Sequence, residues 1–395
     1  MLQDAISTRT ALIERLVVAT RAWSVGAAVD RASTSGIREE LIELNHSRWF
    51  DSIPPYAVLA QESGINRVAP AEDVRNALIV SDDWFKSFDP VWLRGDFQSL
   101  SSWLSRMSVF PTIDTPRGAT TLSEWRDALR VQGVYVTVSS ATGGVPSLVP
   151  RDRTTLAALQ SSSGVRMPWA SAPGTFDLLA LVSEGRGSGL QAGAMGLART
   201  AHASHYGHDS AAWEFLRRSQ SDGRPVVIFG APARLDALLK SGSLPSGTRL
   251  PAGSSLVTGG GWKNDPANDL QGLLDRTADR LGLPRERCVD TYSTSELNTL
   301  FVSCAHGRYH VPPSVEVIVV DEVLRPAPER TSGRLAVLDA MAFSYPGLLA
   351  TSDQVELAVD PCRCGRSGQA IASAISRVPR VDPRGCGLPE TGLPR

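Results

Sequence analysis

Apolar positions change period several times along the chain, and the changes divide it. From residue 1 to about 65 they recur at helical spacing. Leu12, Ile13, Leu16 and Val17 mark one face beside charged Glu14 and Arg15, and Leu41, Ile42 and Leu44 continue the theme. Between Val68 and Pro111 aromatic residues concentrate: Trp84, Phe85, Phe88, Trp92, Phe97 and Trp103, with Leu93 among them, read as core or lid packing. Short β-branched runs then take over. Val134 to Val138 predicts a buried strand, as do Val226 to Phe229, Ser255 to Thr258 and Cys288 to Thr291. Leu235, Leu238 and Leu239 begin a helix after the second run. Asp265 is the expected N-cap of another, with Pro266 at its first position, a stripe of Leu270, Leu273, Leu274, Ala278 and Leu281, and Gly282 as its stop. Strand–helix–strand order predicts an α/β fold with a parallel sheet and right-handed crossovers. Val315 to Val320, Leu335 to Leu338 and Val355 to Val359 then predict a β-rich subdomain, and Pro379, Pro383, Pro389 and Pro394 exclude a long regular element in the tail.

The loops that follow the strands carry the candidate chemistry, because an open α/β sheet places its ligand beyond the carboxyl ends of its strands. Ser139-Ser140-Ala141-Thr142-Gly143-Gly144-Val145-Pro146-Ser147 follows the first strand. Hydroxyls there can donate to phosphate oxygens and glycines let backbone N–H groups approach; a plain Gly-Pro turn would use the same residues. Gly259-Gly260-Gly261-Trp262-Lys263 follows the third strand, and its glycines signal close approach by a ligand or by another element. Tyr292-Ser293-Thr294-Ser295-Glu296 follows the fourth. It offers an aromatic face for a purine, hydroxyls for phosphate or carboxylate oxygens, and a carboxylate for Mg²⁺, although alone it would pass for a polar turn. Gly185 to Gly189 lacks the spacing of a dinucleotide fingerprint, and His202, His205 and His208 read as surface or pocket-lining side chains.

Composition narrows the class. The chain has 395 residues, 42% hydrophobic and 21% charged, with a formal net charge of -1. It is therefore expected to be globular, with no basic patch for nucleic acid and no membrane span. Asp4, Arg9, Glu14 and Arg15 interrupt any signal-peptide pattern, so a cytoplasmic location is expected. Five cysteines, Cys288, Cys304, Cys362, Cys364 and Cys386, then point to metal or thiol chemistry. Cys304-Ala305-His306 and Cys362-Arg363-Cys364 supply four ligands in two short pairs, suited to a closed structural Zn²⁺ site, with His310 able to replace His306.

Taken together, these loops resemble the adenylate-forming superfamily of acyl-CoA synthetases, luciferases and adenylation domains. Ser139 to Ser147 is similar to its phosphate loop, with Ala141, Gly143 and Ser147 replacing a glycine, a threonine and a lysine. Tyr292 to Glu296 is similar to the family's Tyr-Gly-x-Thr-Glu motif, and Thr351-Ser352-Asp353 to its Thr-Gly-Asp. Gly260 to Lys263, Tyr309 to Pro313 and Cys362 to Arg366 look like the LuxE-type acyl-protein synthetases, with the phenylacetate–CoA ligases as neighbours. The resemblance implies the large N-terminal domain of an adenylate-forming enzyme. Its expected divisions are a helical region at 1–80, an adenylation core at 81–376 with a zinc-stapled β subdomain from about 300, and a short tail at 377–395.

The implied activity is ATP-dependent conversion of a carboxylic acid to an acyl-adenylate and pyrophosphate, followed by acyl transfer. The resemblance assigns Tyr292 to the adenine face, Ser295 to phosphate or substrate carboxylate, Glu296 to Mg²⁺ and Asp353 to the ribose hydroxyls. Ser139, Ser140, Thr142, Gly143, Gly144, Gly259 and Gly260 would line the nucleotide site. The family's mobile C-terminal domain, with its catalytic lysine, would begin after Ser376-Arg377, where 18 residues without lysine remain. That domain is expected to be absent, leaving Lys263 as a stand-in cation and Cys386 as a candidate acyl acceptor beside an acyl carrier protein or a reductase partner. The alternatives are an acyl- or aryl-CoA ligase, or a degenerate adenylation-like domain that binds an acyl ligand or a partner without chemistry.

Overall fold

The apolar alternation along each middle strand sends side chains to both faces of one sheet. In the strand 177–181, Leu179 and Leu181 join one buried cluster, while Leu178 and Ala180 join another on the opposite side. A strand apolar on both faces needs helices over each, the arrangement of a parallel sheet. The computed structural model describes residues 2–24, 26–115, 117–139, 145–163, 172–183, 189–241, 247–260, 269–372 and 375–377.

The chain opens with α1 (Leu2–Ser24), α2 (Arg31–Ser52), α3 (Pro54–Glu62) and α4 (Ala71–Ala77), then β1 (Val80–Ser81), α5 (Phe97–Arg106) and α6 (Leu122–Val131). Trp84, Phe85, Phe88, Phe97 and Trp103 are buried, as their clustering predicts. The hairpin β2 (Tyr135–Val138) and β3 (Leu148–Arg151) follows, then α7 (Arg153–Ser163). The middle of the chain alternates β4 (Asp177–Leu181), α8 (Gly189–Ala198), β5 (Ala203–Tyr206), α9 (Ser210–Ser221), β6 (Val226–Gly230), α10 (Pro232–Lys240), β7 (Ser255–Gly259), α11 (Leu270–Leu281) and β8 (Cys288–Tyr292). Short strands complete it: β9 (Phe301–Ser303), β10 (Tyr309–His310), β11 (Val315–Val320), β12 (Ser332–Asp339), β13 (Leu348–Glu356), β14 (Ala370–Ile371) and β15 (Ser376–Arg377).

Among the described residues, the largest sheet has eight strands in the order β14-β10-β9-β8-β7-β6-β4-β5. Strands β5, β4, β6, β7 and β8 run parallel, and β9 turns back against β8. A second sheet, β1-β13-β12-β11, takes β15 on β13. The N-terminal helices do not stand apart from it. Leu16, Leu41, Trp49 and Tyr56 share one buried cluster with Val337, Leu349 and Phe343.

Three expectations shift. The third β-rich strand covers 348–356 rather than beginning at Val355, because Leu348 and Leu349 pair with Leu338 and Val337 of β12. Helix α11 is capped by Asp269, whose carboxylate accepts the Gly272 N–H at 2.8 Å; Asp265 and Pro266 lie outside the described residues. The strand that leads into Ser139, β2, pairs with β3 in an antiparallel hairpin rather than joining the parallel sheet. Gly282 ends α11 in the left-handed region, φ 66°, as expected.

Candidate active site

Strand β8 belongs to the eight-stranded sheet and β13 to the five-stranded one, and a side-chain hydrogen bond joins them. The Tyr292 hydroxyl donates to Asp353 Oδ2 at 2.8 Å. Burial, reinforced by the Asp353 charge, pushes the Tyr292 phenol well above its ordinary value, so it stays a donor. Burial also raises the Asp353 carboxyl, against the hydrogen bond from Tyr292 and the nearby Arg377 guanidinium at 3.5 Å, both of which favour its ionised form. Tyr292 packs on Phe301, with ring centroids 5.7 Å apart, and meets Tyr309 edge-on. Beneath it Asp290 accepts from Thr258 Oγ1 at 2.5 Å and from the Tyr309 hydroxyl at 2.7 Å.

The turn after β8 is pinned from several sides. Ser293 Oγ donates to the Thr299 carbonyl at 2.8 Å and closes it. The Tyr345 hydroxyl donates to the Glu296 carbonyl at 2.7 Å. Asn298 donates to Asp339 Oδ2 through its backbone N–H at 2.8 Å and its side-chain amide at 3.0 Å. Glu296, at the end of this turn, is 5% exposed. A carboxylate in this place is of the ligand type that Mg²⁺ takes. Thr294 Oγ1 is buried without a partner among the described residues.

The phosphate-loop candidate is closed at its base. Ser139 N–H donates to the Ser147 carbonyl at 3.1 Å, and Ser147 N–H to Ser139 Oγ at 2.7 Å. Ser140, Thr142, Gly143 and Gly144 lie outside the described residues, as do Gly261, Lys263 and Cys386. Gly259 is explained by an element rather than a ligand: a Cβ there would run into Thr291 Oγ1 of β8. Gly260 has φ 82°, a conformation side chains disfavour. The three histidines do not converge. His202 pairs with Asp177, His205 stacks on Phe215, and His208 meets Arg234 beside a cavity of about 430 Å³ at the carboxyl end of β4.

The cysteines gather beside β10. Cys304, Cys362, Cys364 and His310 bring their ligand atoms within 4.8 Å of one another. Cys304 Sγ is 3.6 Å from Cys362 Sγ, and Cys364 Sγ is 3.2 Å from His310 Nε2. The exposed His306 is not in this group; it sits in the turn between β9 and β10, while His310 lies on β10 facing the cysteines. Two sharp turns, one from Cys304 to Gly307 and one from Cys362 to Gly365, present the thiols. Burial and the guanidinium groups of Arg366 and Arg308 push the His310 imidazole down to about 4, leaving it neutral as a metal ligand requires.

The residues that sequence reasoning passed over are Arg151, Asn298, Asp339 and Tyr345, which hold the Tyr292–Glu296 turn. Their signal in the sequence was thin: a charged residue ending a short apolar run, as at Arg151 and Asp339.

The mixed sheets flanked by helices match the fold of adenylate-forming ligases. Crystal structures of a 2-hydroxyisobutyryl-CoA ligase, holding 2-HIB-AMP and CoA, superpose with TM-scores of 0.56 and 0.57 at 16% identity, covering 87% and 88% of this chain and 72% and 68% of theirs. Residues 204–391, just under half of the chain, match the family model for acyl-protein synthetase, LuxE. The chain is similar to the long-chain-fatty-acid–luciferin-component ligase of Vibrio harveyi, 31% identical over 144 residues, and to that of Aliivibrio fischeri, 35% identical over 106. Those alignments span 35% and 25% of this chain, and 38% and 27% of the two relatives. Among the described residues no helix is long and apolar enough to cross a membrane.

Proposed function

We propose that this protein activates a carboxylic acid with ATP as an acyl-adenylate and then passes the acyl group to a nucleophile. The observation that carries the reading is the Tyr292–Asp353 hydrogen bond between the two sheets, with Glu296, 5% exposed, at the end of the same turn. Similarity to LuxE-type synthetases supports it.

Tyr292 would offer its ring to adenine, and Asp353 would accept from the ribose hydroxyls. Ser139, with Ser140, Thr142, Gly143 and Gly144, would cradle the phosphates, and Ser295 would hold the acid. Lys263 would add a cation. Glu296 is suited to hold Mg²⁺, which when bound neutralises the polyphosphate charge. The protein's task is to hold two anions in line: a carboxylate oxygen bonds to the α-phosphorus as the bond to pyrophosphate breaks. A nucleophile then attacks the acyl carbon and AMP leaves. Cys386, an acyl carrier protein or a reductase subunit would be the acceptor. Cys304, His310, Cys362 and Cys364 would hold a structural Zn²⁺, and their thiols suit a reducing cytoplasm.

The test is ATP–pyrophosphate exchange across fatty, aryl and amino acids, with and without CoA. One acid should support exchange without CoA. Silence across the panel, with a carrier or reductase partner present, overturns the reading.

A further inference from the structure

Arg151 is a buried arginine at the end of β3, 1% exposed, and four of its N–H bonds are directed at two segments far apart in sequence. Nη1 donates to Thr137 Oγ1, across the hairpin on β2, at 2.8 Å. Nε donates to Asn298 Oδ1 at 2.8 Å. Nη2 donates to the carbonyls of Ser295 and Leu297 at 2.7 and 3.0 Å. The Ser295 and Leu297 carbonyls flank Glu296, whose own carbonyl accepts from Tyr345. Three successive carbonyls are thereby fixed, and the direction of the Glu296 side chain with them. The hairpin that supplies Thr137 is the one that closes at Ser139 and Ser147 around the phosphate-loop candidate. Only a planar fork reaches these acceptors together; lysine's single ammonium cannot.

We propose that Arg151 is a positioning residue that locks the β2–β3 hairpin and the Glu296 turn into one unit, fixing Ser139 and Ser147 at the hairpin's end relative to the carboxylate assigned to Mg²⁺. The functional half rests on the reading of Glu296 given above. Arg151 touches no substrate. It acts by holding two groups that must meet the same polyphosphate, where a small misplacement is costly.

The test pairs kinetics with backbone hydrogen–deuterium exchange in the full chain. Arg151→Lys keeps the charge and loses the fork. In its folded fraction the KM for MgATP and the half-saturating Mg²⁺ concentration should each rise about tenfold, while AMP binding, which relies on Tyr292 and Asp353, stays within about twofold. Deuterium uptake should accelerate together at 136–139 and 294–299. A folded Arg151→Lys protein with unchanged MgATP KM and unchanged uptake overturns the proposal. If that variant does not fold, Thr137→Val removes only the acceptor on β2. Faster uptake at 294–299, a segment Thr137 does not touch, supports the lock, and unchanged uptake overturns it. Absence of exchange activity in the wild type would strike the reading of the site instead, and the deuterium arm still decides the coupling.

Discussion

The Tyr292 hydroxyl donates to Asp353 across the junction of two sheets, 61 positions apart in the chain. Tyr292→Phe keeps the ring and leaves the Asp353 carboxyl short of one donor. Losing a buried partner costs about 1–3 kcal/mol. We expect that loss in chemical denaturation, with a modest rise in the KM for ATP. Asp353→Ala should weaken ATP far more than Tyr292→Phe; equal effects would argue against the ribose role.

Glu296→Gln removes the charge of a residue that is 5% exposed and keeps its shape. Stability should rise or hold while pyrophosphate exchange falls by about 100-fold or more. A variant that keeps full exchange would refute the metal role.

Metal analysis of chelator-washed protein should find about one zinc per chain. Cys362→Ser and His310→Ala should lose it and melt earlier, whereas His306→Ala should retain it. Zinc retained by His310→Ala and lost by His306→Ala would reverse the assignment.

Burial raises the Asp290 carboxyl, although Thr258 and Tyr309 donate to it. A carboxyl with a raised folded value contributes stability that is complete below its unfolded value of about 3.9 and is lost as pH rises through the folded value. Asp290→Asn should therefore flatten the pH dependence of stability above about pH 4. Urea titrations at several pH values check this, and parallel wild-type and variant curves would exclude it.

Gly259→Ala places a methyl against Thr291 of the neighbouring strand. Overpacking of this kind costs about 1–3 kcal/mol. A thermal melt should show it, and a melt unchanged from wild type would mean that β7 and β8 separate easily.

Much of the parallel sheet was legible because its strands are short apolar runs bounded by glycine and proline. Val226 to Phe229 and Cys288 to Thr291 needed no partner to be recognised. The turn after β8 was legible as chemistry for the same local reason. The clamp on it was not, because Arg151 lies 144 to 147 positions from the groups it binds, and nothing local marks such a pairing. The choice between His306 and His310 was open for a different reason. Both are near Cys304 in sequence, but only the hairpin of β9 and β10 decides which ring faces Cys362 and Cys364. Asp265 and Asp269 are both credible caps; the last turn of the helix's apolar stripe does not say where its first turn begins.

Strand β13, which carries Asp353, is bordered by β1 from residues 80–81 and by β15 from residues 376–377. Its neighbours thus come from opposite reaches of the chain. On a ribosome, Tyr292 and its parallel sheet can form long before Asp353 has a finished sheet to stand on. The junction of the two sheets is therefore a late product of folding, slow by virtue of its long-range pairings. A fragment begun after residue 81 would carry both partners of the Tyr292–Asp353 bond and still lack the edge that holds them apart at the right distance.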